Sequence, residues 1–421
     1  MNVGIIGSGG REHALCLKIK DSNLVKNIYC FPGNAGTSLI SENIDIDIDD
    51  FEQIKKMAIE KNISLLIVGP EKQLVNGIVD FFKNTNIKIF GPNKTASQLE
   101  GSKIFTKKLC KKYNIPTSKF EIFENEDEAI KYLDNSNYPI VIKADGLASG
   151  KGVYICKSNN EAKNAVSEIF NGKFGKANCV LVEEFLNGEE MSYFIICDGK
   201  EYKTFQTAQD HKRVGEGDTG PNTGGMGSYS PSRLSNKNLE AKIKKKIIAP
   251  TLKGLKQLNT NYVGFLYVGL MISNDEPYLI EFNVRMGDPE CQTILPLLKS
   301  DLGEIILSCC NQNLGSQKIE WLNKKSLCVV LCSNGYPGIF KKKVIIKNID
   351  NLNLQEGQYL IHAGTKYIDK DLYSYGGRVL NIVVISNTFE KSQKKALEIL
   401  KQINWKNGFY RKDIGYKVIN I

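Results

Sequence analysis

The first 92 residues alternate short apolar runs with helical stretches, and this alternation restricts the possible folds more than any other feature of the chain. VGIIG (3–7), IYCF (28–31), SLLIVGP (64–70) and IKIFGP (87–92) read as strands, with EHALCLKI (12–19), FEQIKKMAIEKN (51–62) and LVNGIVDFFKNT (74–85) as the helices between them. Strands separated by helices in this order predict a doubly wound parallel sheet. Strands that run into Gly or Gly-Pro place the loops, and any ligand, at the carboxyl edge of that sheet.

The turn GSGGREHA after the first strand contains Gly9, Gly10 and Arg11, and the nearby PGNAGT loop contributes Asn34. A dinucleotide fingerprint needs a third glycine where Glu12 stands, and no acidic residue closes the second strand near Phe31. That argues against a nicotinamide oxidoreductase. Two readings stay open: a phosphate held by backbone N–H groups at a helix start, or a turn with no ligand.

At 421 residues the chain exceeds what one core usually supports, so several packed bodies are expected. Its 42% hydrophobic and 24% charged residues are ordinary for a soluble globular protein, and no apolar run approaches the roughly 18 residues of a membrane span. A capping pattern, Thr95 with Gln98, predicts a helix that carries Lys103 and ends before Pro116. Then come a strand IVIKADG (140–146), a loop LASGKGV (147–153), a helix near 160–171 and a strand VLVEEF (180–185). Residues 203–232 are so rich in Gly, Pro and polar residues that they read as one long irregular, functional loop. A helix over about 237–257 leads to a hairpin of GFLYVGLMIS and PYLIEFN turning at Asn274–Pro277. From about 326, strands LCVVLC, YLIHAGT and RVLNIVVIS and the helix TFEKSQKKALEILKQI form a last body.

The net charge of +10 comes from lysines scattered over helices, not from a focused patch, which argues against a nucleic-acid partner. With 50 Lys and only 6 Arg, the arginines become informative. Arg11, Arg213, Arg285, Arg378 and Arg411 sit in or beside polar, mostly Gly-rich turns, where a planar guanidinium does what a lysine cannot. The 11 cysteines lack metal or disulfide spacing, and the chain opens directly on a strand, so reduced thiols and a cytoplasmic location are expected. Three histidines without ligand spacing argue against zinc.

In YLIEFN, a strand period of two puts Glu281 and Asn283 on one face, with Ile280 and Phe282 on the other. Two hard oxygen ligands suit Mg²⁺, which takes its other ligands from water and nucleotide phosphates. Lys143 ends an apolar strand, where an anion such as phosphate would compensate its charge. The following loop, with Gly146, Gly150 and Gly152, offers backbone donors to that phosphate. Glu183, Glu184 and Glu190 end or follow a strand that, as a sheet edge, would read adenine by its backbone and ribose by a carboxylate.

GSGGREHAL, PGNAG, VGPE, IFGP, LEGSKIFTK, PIVIKADGLASGKGV, EEFLNGEE, QDHKRVGEGDTGPNTGGMG, GFLYVGLM, IEFNVRMGDPE, HAGTK, GGRVL and RKDIGY span essentially the whole chain. Together they resemble the phosphoribosylamine-glycine ligases, or glycinamide ribonucleotide synthetases, of the ATP-grasp superfamily. The resemblance implies an α/β and α+β multidomain fold: an N-terminal doubly wound parallel sheet for substrate over 1–101, an ATP-grasp core over 102–325 with a mobile lid at about 121–188, and a small C-terminal mixed α/β domain over 326–421. It implies ATP-dependent joining of glycine to 5-phosphoribosylamine through glycyl phosphate, in purine biosynthesis, with Mg²⁺ or Mn²⁺ on Glu281 and Asn283. ATP would be held by Lys103, Lys143, Ser149, Gly150, Lys151, Gly152, Glu183, Glu184, Phe185, Leu186 and Glu190. The other substrates would be held by Gly9, Gly10, Arg11, Asn34, Asp210, Lys212, Pro221, Asn222, Thr223, Gly224, Gly225, Arg285, Gly287 and Asp288. Lys143, Asp210 and Arg285 would take part in catalysis. Small molecules are the expected partners, with neither nucleic acid nor membrane, and the expected state is a monomer, with a homodimer open. YVGLMIS lacks the further acidic metal ligand that many ATP-grasp relatives carry on this strand, which matches the glycine ligases, and Met286 stands where an aromatic is expected in the turn. Other purine-pathway ATP-grasp ligases are the alternative within the superfamily.

Overall fold

The computed structural model describes residues 1–147, 152–175 and 178–419. The N-terminal body runs β1 (Asn2–Gly7), α1 (Gly10–Lys20), β2 (Asn27–Pro32), β3 (Glu42–Asn43), α2 (Phe51–Glu60), β4 (Ile63–Val68), α3 (Glu71–Asn76), α4 (Ile78–Phe81) and β5 (Lys88–Phe90). Its strands are parallel, in the order β3-β2-β1-β4-β5. Period-two alternation sends Val3, Ile5, Leu65 and Ile67 into one apolar cluster and Ile6, Leu66 and Val68 into another, so both faces are covered. The strand order reverses between β1 and β4, and the crevice at their carboxyl ends is where such sheets bind ligands. The helix expected over 74–85 is divided at Gly77 into α3 and α4.

The helix expected from a Thr95 cap is also two helices, α5 (Gln98–Gly101) and α6 (Lys103–Tyr113). Asn93 Oδ1, not Thr95, accepts the first free amide, that of Ala96, at 2.9 Å. Ser102 leaves the helical conformation and starts α6 by accepting Phe105 N–H at 3.1 Å, which sets Lys103 in the first turn. Next come β6 (Phe120–Phe123), α7 (Glu126–Leu133), β7 (Ile140–Ala144), β8 (Val153–Cys156), α8 (Asn159–Phe170) and β9 (Val180–Glu184). These strands pair in the order β6-β9-β7-β8, and α7 and α8 close a separate apolar core of residues such as Leu133, Ile142, Val166 and Val182. β9 is therefore an interior strand, and the expected edge strand is not found there: its backbone is bonded on both sides, to β6 and β7.

β10 (Glu189–Asp198), β11 (Tyr202–Thr204), β12 (Gln209–Asp210), β13 (Arg213–Gly215), β14 (Thr219–Asn222) and β15 (Gly227–Ser230) precede a continuous helical rod made of α9 (Lys237–Ile243), one π turn (Lys244–Ile248) and α10 (Ala249–Gln257). β16 (Val263–Ser273) and β17 (Glu276–Asn283) complete an antiparallel sheet, β11-β10-β16-β17. Asn274 and Asp275, both at positive φ, make the tight turn of the expected hairpin. The supposed irregular loop over 203–232 contains five short strands. β13 and β14 form a hairpin, while β12 and β15 pair with each other. Composition misled here because strands only two to four residues long need little apolar content.

α11 (Glu290–Ile294) and α12 (Leu302–Cys310) lead to β18 (Lys325–Ser333), β19 (Val344–Ile346), β20 (Gln358–His362), β21 (Thr365–Ile368), β22 (Asp371–Ser374), β23 (Arg378–Ser386), α13 (Phe389–Leu400) and β24 (Gly408–Phe409). The main C-terminal sheet runs β12-β15-β18-β23-β20, with β24 also on β18, so two strands from the middle of the chain complete it. Buried Arg411 ties the β13–β14 hairpin down, reaching Asp218 at 2.8 Å and Asp413 at 2.7 Å. All 11 cysteines are free thiols. Among the described residues no helix is long and apolar enough to cross a membrane.

His13 on α1 and His362 at the end of β20 join the first and last bodies. Their rings lie 5.7 Å apart, and His13 Nδ1 accepts the His362 backbone N–H at 2.9 Å. Burial lowers both imidazoles, His13 to about 3 and His362 to about 4. Both are therefore neutral in the fold, and a depressed histidine pKa stabilises the fold fully above the unfolded value of about 6.5 and progressively less as pH falls toward 4. Each imidazole accounts for about 2 kcal/mol of lost stability by pH 5. We expect the melting temperature to fall between pH 7 and pH 5, and His13→Asn, which retains an acceptor but cannot titrate, to make that fall shallower.

Candidate active site

The bodies enclose a cleft of about 360 Å³ that continues into a second cavity of about 180 Å³. β17 forms its floor. Glu281 and Asn283 both line the cleft, 3.5 Å apart between Oε1 and Nδ2, as the strand period requires. Ile280 lines it too, contrary to that period, because the β16–β17 register slips between Gly269 and Leu270 and leaves Ile280 as the extra residue of a bulge. Burial alone would raise the Glu281 carboxyl, but Lys212, Lys143 and Lys103 hold it below its usual range, so it is an anion. A charged oxygen beside an amide suits a hard divalent cation.

Lys103 enters from the first turn of α6, its Nζ donating to Gly146 O at 2.9 Å. Asp145 locks that turn by accepting Ser102 Oγ and Ile104 N–H, the latter at 3.2 Å. Lys143 is compensated within the protein, by Glu183 Oε1 at 2.8 Å, and not only by a prospective phosphate. Glu183 Oε2 simultaneously pairs with Lys107 at 2.9 Å and accepts from Ser118 Oγ. Glu183 is thus a buried counter-ion for two lysines, and its carboxylate is directed at them rather than at a sugar. Burial would raise its pKa, yet the two lysines keep it lowered. Lys107, one helical turn after Lys103, is a cleft residue that sequence reasoning missed; the i, i+4 spacing was the available signal. Glu184 at the end of β9, Phe185 and Leu186 just after it, and Glu190 at the start of β10 line the second cavity with Val141, Ile155, Met191 and Met271. The apolar slot, with its two carboxylates, spans the connection from β9 to β10.

On the N-terminal wall, the expected anion cradle is occupied by the protein's own carboxylates. Glu12 accepts Gly9 N–H at 2.6 Å and pairs with Arg11 Nε at 2.6 Å, and Asp288 Oδ2 accepts Arg11 N–H at 3.3 Å. Arg11 reaches the cleft beside Glu71, while Gly9 and Gly10 form the turn behind it. Asn34 is not available to a substrate through this geometry: its Nδ2 donates to Ser8, Gly9 and His362 carbonyls and its Oδ1 accepts Gly36 and Thr37 N–H. It staples the first loop to the C-terminal body.

Arg285 lines the cleft, and its fork is engaged by Glu71 at 3.1 Å and Glu100 at 2.7 Å. Burial would raise Glu71, but Arg285 and Arg11 hold it down to about 2. Asp288 lines the same wall and pairs with Arg378 of β23 at 3.2 Å, so the C-terminal body reaches the cleft. Gly287 lies beside them. From the central segment come Asp210, Lys212, Thr223 and Gly224, with Asn222 facing the second cavity; Gly225 packs behind Asp210, and Pro221 is exposed on β14 outside both cavities. Gly152 borders the cleft, whereas Ser149, Gly150 and Lys151 lie outside the described residues.

A lysine-lined cleft, an adjoining apolar slot and a Glu-x-Asn strand between α/β lobes are the features of an ATP-grasp ligase, a class that uses ATP and a divalent metal. Three family models match: the phosphoribosylglycinamide synthetase N domain over 1–100, its ATP-grasp (A) domain over 101–291 and its C domain over 326–417. The chain belongs to the phosphoribosylglycinamide synthetase family, ATP-dependent ligases that join glycine to phosphoribosylamine in purine biosynthesis. It is 46% identical over 420 residues to the phosphoribosylamine-glycine ligase of Brucella melitensis, covering 100% of this chain and 98% of the relative. A crystal structure of the Thermotoga maritima phosphoribosylamine-glycine ligase superposes with a TM-score of 0.86 at 33% identity, over 99% of this chain and 100% of that one. The Hydrogenobacter thermophilus biotin carboxylase domain, solved with MgADP and bicarbonate, shares the fold at a TM-score of 0.73 and 16% identity, over 97% of this chain and 91% of that one.

Removing one member of a buried ion cluster typically costs about 3–5 kcal/mol, because the partner charges are left behind. Glu183→Gln should therefore lower the unfolding free energy by about 3 kcal/mol or more in urea titrations. A change below about 0.5 kcal/mol would mean that Lys107 and Lys143 do not depend on it.

Proposed function

We propose that the cleft performs this ligation with the following division of labour, and the observation that carries it is the convergence of Glu281, Asn283, Lys103 and Lys143 on one cavity. ATP lies with its base in the slot beside Phe185 and Leu186, its ribose near Glu184 and Glu190, and its phosphates toward Lys103 and Lys143. Glu281 and Asn283 hold the divalent ion, Mg²⁺ or Mn²⁺, which when bound neutralises charge on the terminal phosphates. The 144–152 segment, with Gly152 and the neighbouring residues 149–151, belongs to a lid over about 121–188 that closes on the nucleotide. The lid lies within the second part of a three-part division at 1–101, 102–325 and 326–421.

A glycine carboxylate oxygen attacks the γ-phosphorus, the bond from phosphorus to the bridging oxygen breaks, and ADP leaves. The amine of phosphoribosylamine then attacks the acyl carbon of glycyl phosphate; the acyl C–O bond breaks, phosphate departs and the amine loses a proton. The chain contributes position and charge, not a nucleophile. Lys143 and Arg285 sit where negative charge grows, and a closed lid keeps water from the acyl phosphate. Arg11, Arg378, Asp288 and the Thr223–Gly225 turn form the wall left for phosphoribosylamine.

Release of ADP that depends on both glycine and freshly made phosphoribosylamine tests this reading; release driven instead by formate or bicarbonate would place the chain with other purine-pathway ligases. Glu281→Gln should abolish most turnover, about a hundredfold or more, while the melting temperature stays within a few degrees, since Glu281 makes no short ion pair among the described residues. Full activity of this variant at limiting Mg²⁺ would remove the metal assignment.

A further inference from the structure

Lys212 is held from behind by the far end of the chain. It stands between β12 and β13 and lines both the cleft and the adjoining slot, so it lies where the two cavities meet. Both of its neighbours are tied to residues some 200 positions later: Gly415 N–H donates to His211 Nε2 at 3.0 Å, and Arg411 Nη1 donates to the Arg213 carbonyl at 2.9 Å. Thr223 closes a third side, its N–H and its hydroxyl each reaching the Lys212 carbonyl at 2.8 Å. With the backbone fixed in this way, the Lys212 side chain is directed into the cavities.

The β13–β14 hairpin that follows has little apolar support. Its tip at 216–217 and most of β14 are exposed, and Val214 is the side chain it packs on a core. Polar contacts from 411–417 hold it instead. Arg411, 1% exposed, grips Asp413 through Nε and Nη2 at 2.8 and 2.7 Å and turns Nη1 to Asp218 as well, at 2.8 Å. Asp218 also accepts the Tyr416 hydroxyl at 2.9 Å and lies 3.3 Å from Lys417 Nζ. Backbone bonds from Gly217 to Asp413 and from Lys412 to Glu216 complete the seam. His211 is packed between the rings of Tyr229 and Tyr416; burial lowers its pKa, so the ring is neutral and Nε2 remains an acceptor for Gly415. A lysine at 411 could supply one point of this seam but not its planar fork.

We propose that the 411–417 segment is a clamp that sets the position of Lys212 for the nucleotide, with Arg411 and Asp218 as its positioning residues. This rests on the ligase reading above, in which the base fills the slot and the phosphates the cleft, so that Lys212 meets the nucleotide at the join. The end of the chain then governs ATP binding through a residue of the core, without touching ATP itself.

Arg411→Lys keeps the charge and removes the fork. Measured by calorimetry with MgATP and no glycine, it should weaken nucleotide binding about tenfold in the otherwise unaltered chain, the effect of displacing one charge-assisted contact. In a Lys212→Met background the same change should weaken binding by less than about twofold, because the contact through which Arg411 acts is already gone. A purely structural role would cost the same factor in both backgrounds, and that result overturns the clamp. So does an unchanged MgATP affinity in Arg411→Lys, or in Lys212→Met alone. Should Arg411→Lys fail to fold, Asp218→Asn, at the more exposed end of the seam, takes its place in the cycle, and the same outcomes decide. An unaltered chain that does not bind MgATP would instead defeat the ligase reading itself.

Discussion

Compensation of buried charge is the constraint on which the site depends. Seven cationic residues (Arg11, Lys103, Lys107, Lys143, Lys212, Arg285, Arg378) and seven acidic ones (Glu71, Glu100, Glu183, Asp210, Glu281, Asp288, Glu290) line one cleft. An unpaired charge in such a place is expensive, so most are matched. Glu183 answers Lys107 and Lys143, Glu71 and Glu100 answer Arg285, and Asp288 answers Arg378. These pairs cross between bodies: Glu71 and Arg285 join the first lobe to the core, and Asp288 and Arg378 join the core to the last. The residues left outside this matching are the informative ones. Among the described residues, Lys103 has only a carbonyl partner, while Glu281, Glu290 and one oxygen of Asp210 have no ion pair shorter than 3.7 Å.

The sequence made legible whatever depends on neighbours along the chain. Period two placed Glu281 beside Asn283, alternating strands and helices disclosed the parallel sheet, and the turn expected at Asn274–Pro277, of which Asn274 and Asp275 are the turn residues found, marked the hairpin. It concealed what depends on partners distant in sequence. Nothing around Glu183 announces that Lys107 and Lys143 will converge on it, 76 residues separating the first pair. A local pattern could not show the bulge at Ile280 either, because it arises from the register with β16. Asn34 looked like a ligand because polar residues in glycine loops often are; its actual partners include a carbonyl 328 residues away.

The same distinction explains the arginines. Scarcity against lysine correctly singled them out as residues doing work a point charge cannot, since Arg285, Arg378 and Arg411 each hold two or more oxygens in a planar arrangement. Scarcity could not say which oxygens. Arg411, the largest fully buried side chain, braces a hairpin, whereas Arg378 carries the last body into the cleft.

The C-terminal sheet, finished by β12 and β15, sets an order on synthesis. Ser230 is made about 95 residues before Lys325, the start of the strand that β15 must pair with. At typical elongation rates of about 5–20 residues per second, these middle strands wait on the order of 5–20 s with one edge unpaired. Meanwhile the wall that carries Asp210 is held from one side, by the Ser192–Ala208 bridge and by Gln209 Nε2 donating to Glu190 O at 3.0 Å. A chain stopped at residue 325 loses part of its centre as well as its end, because β15 then keeps β12 but not β18.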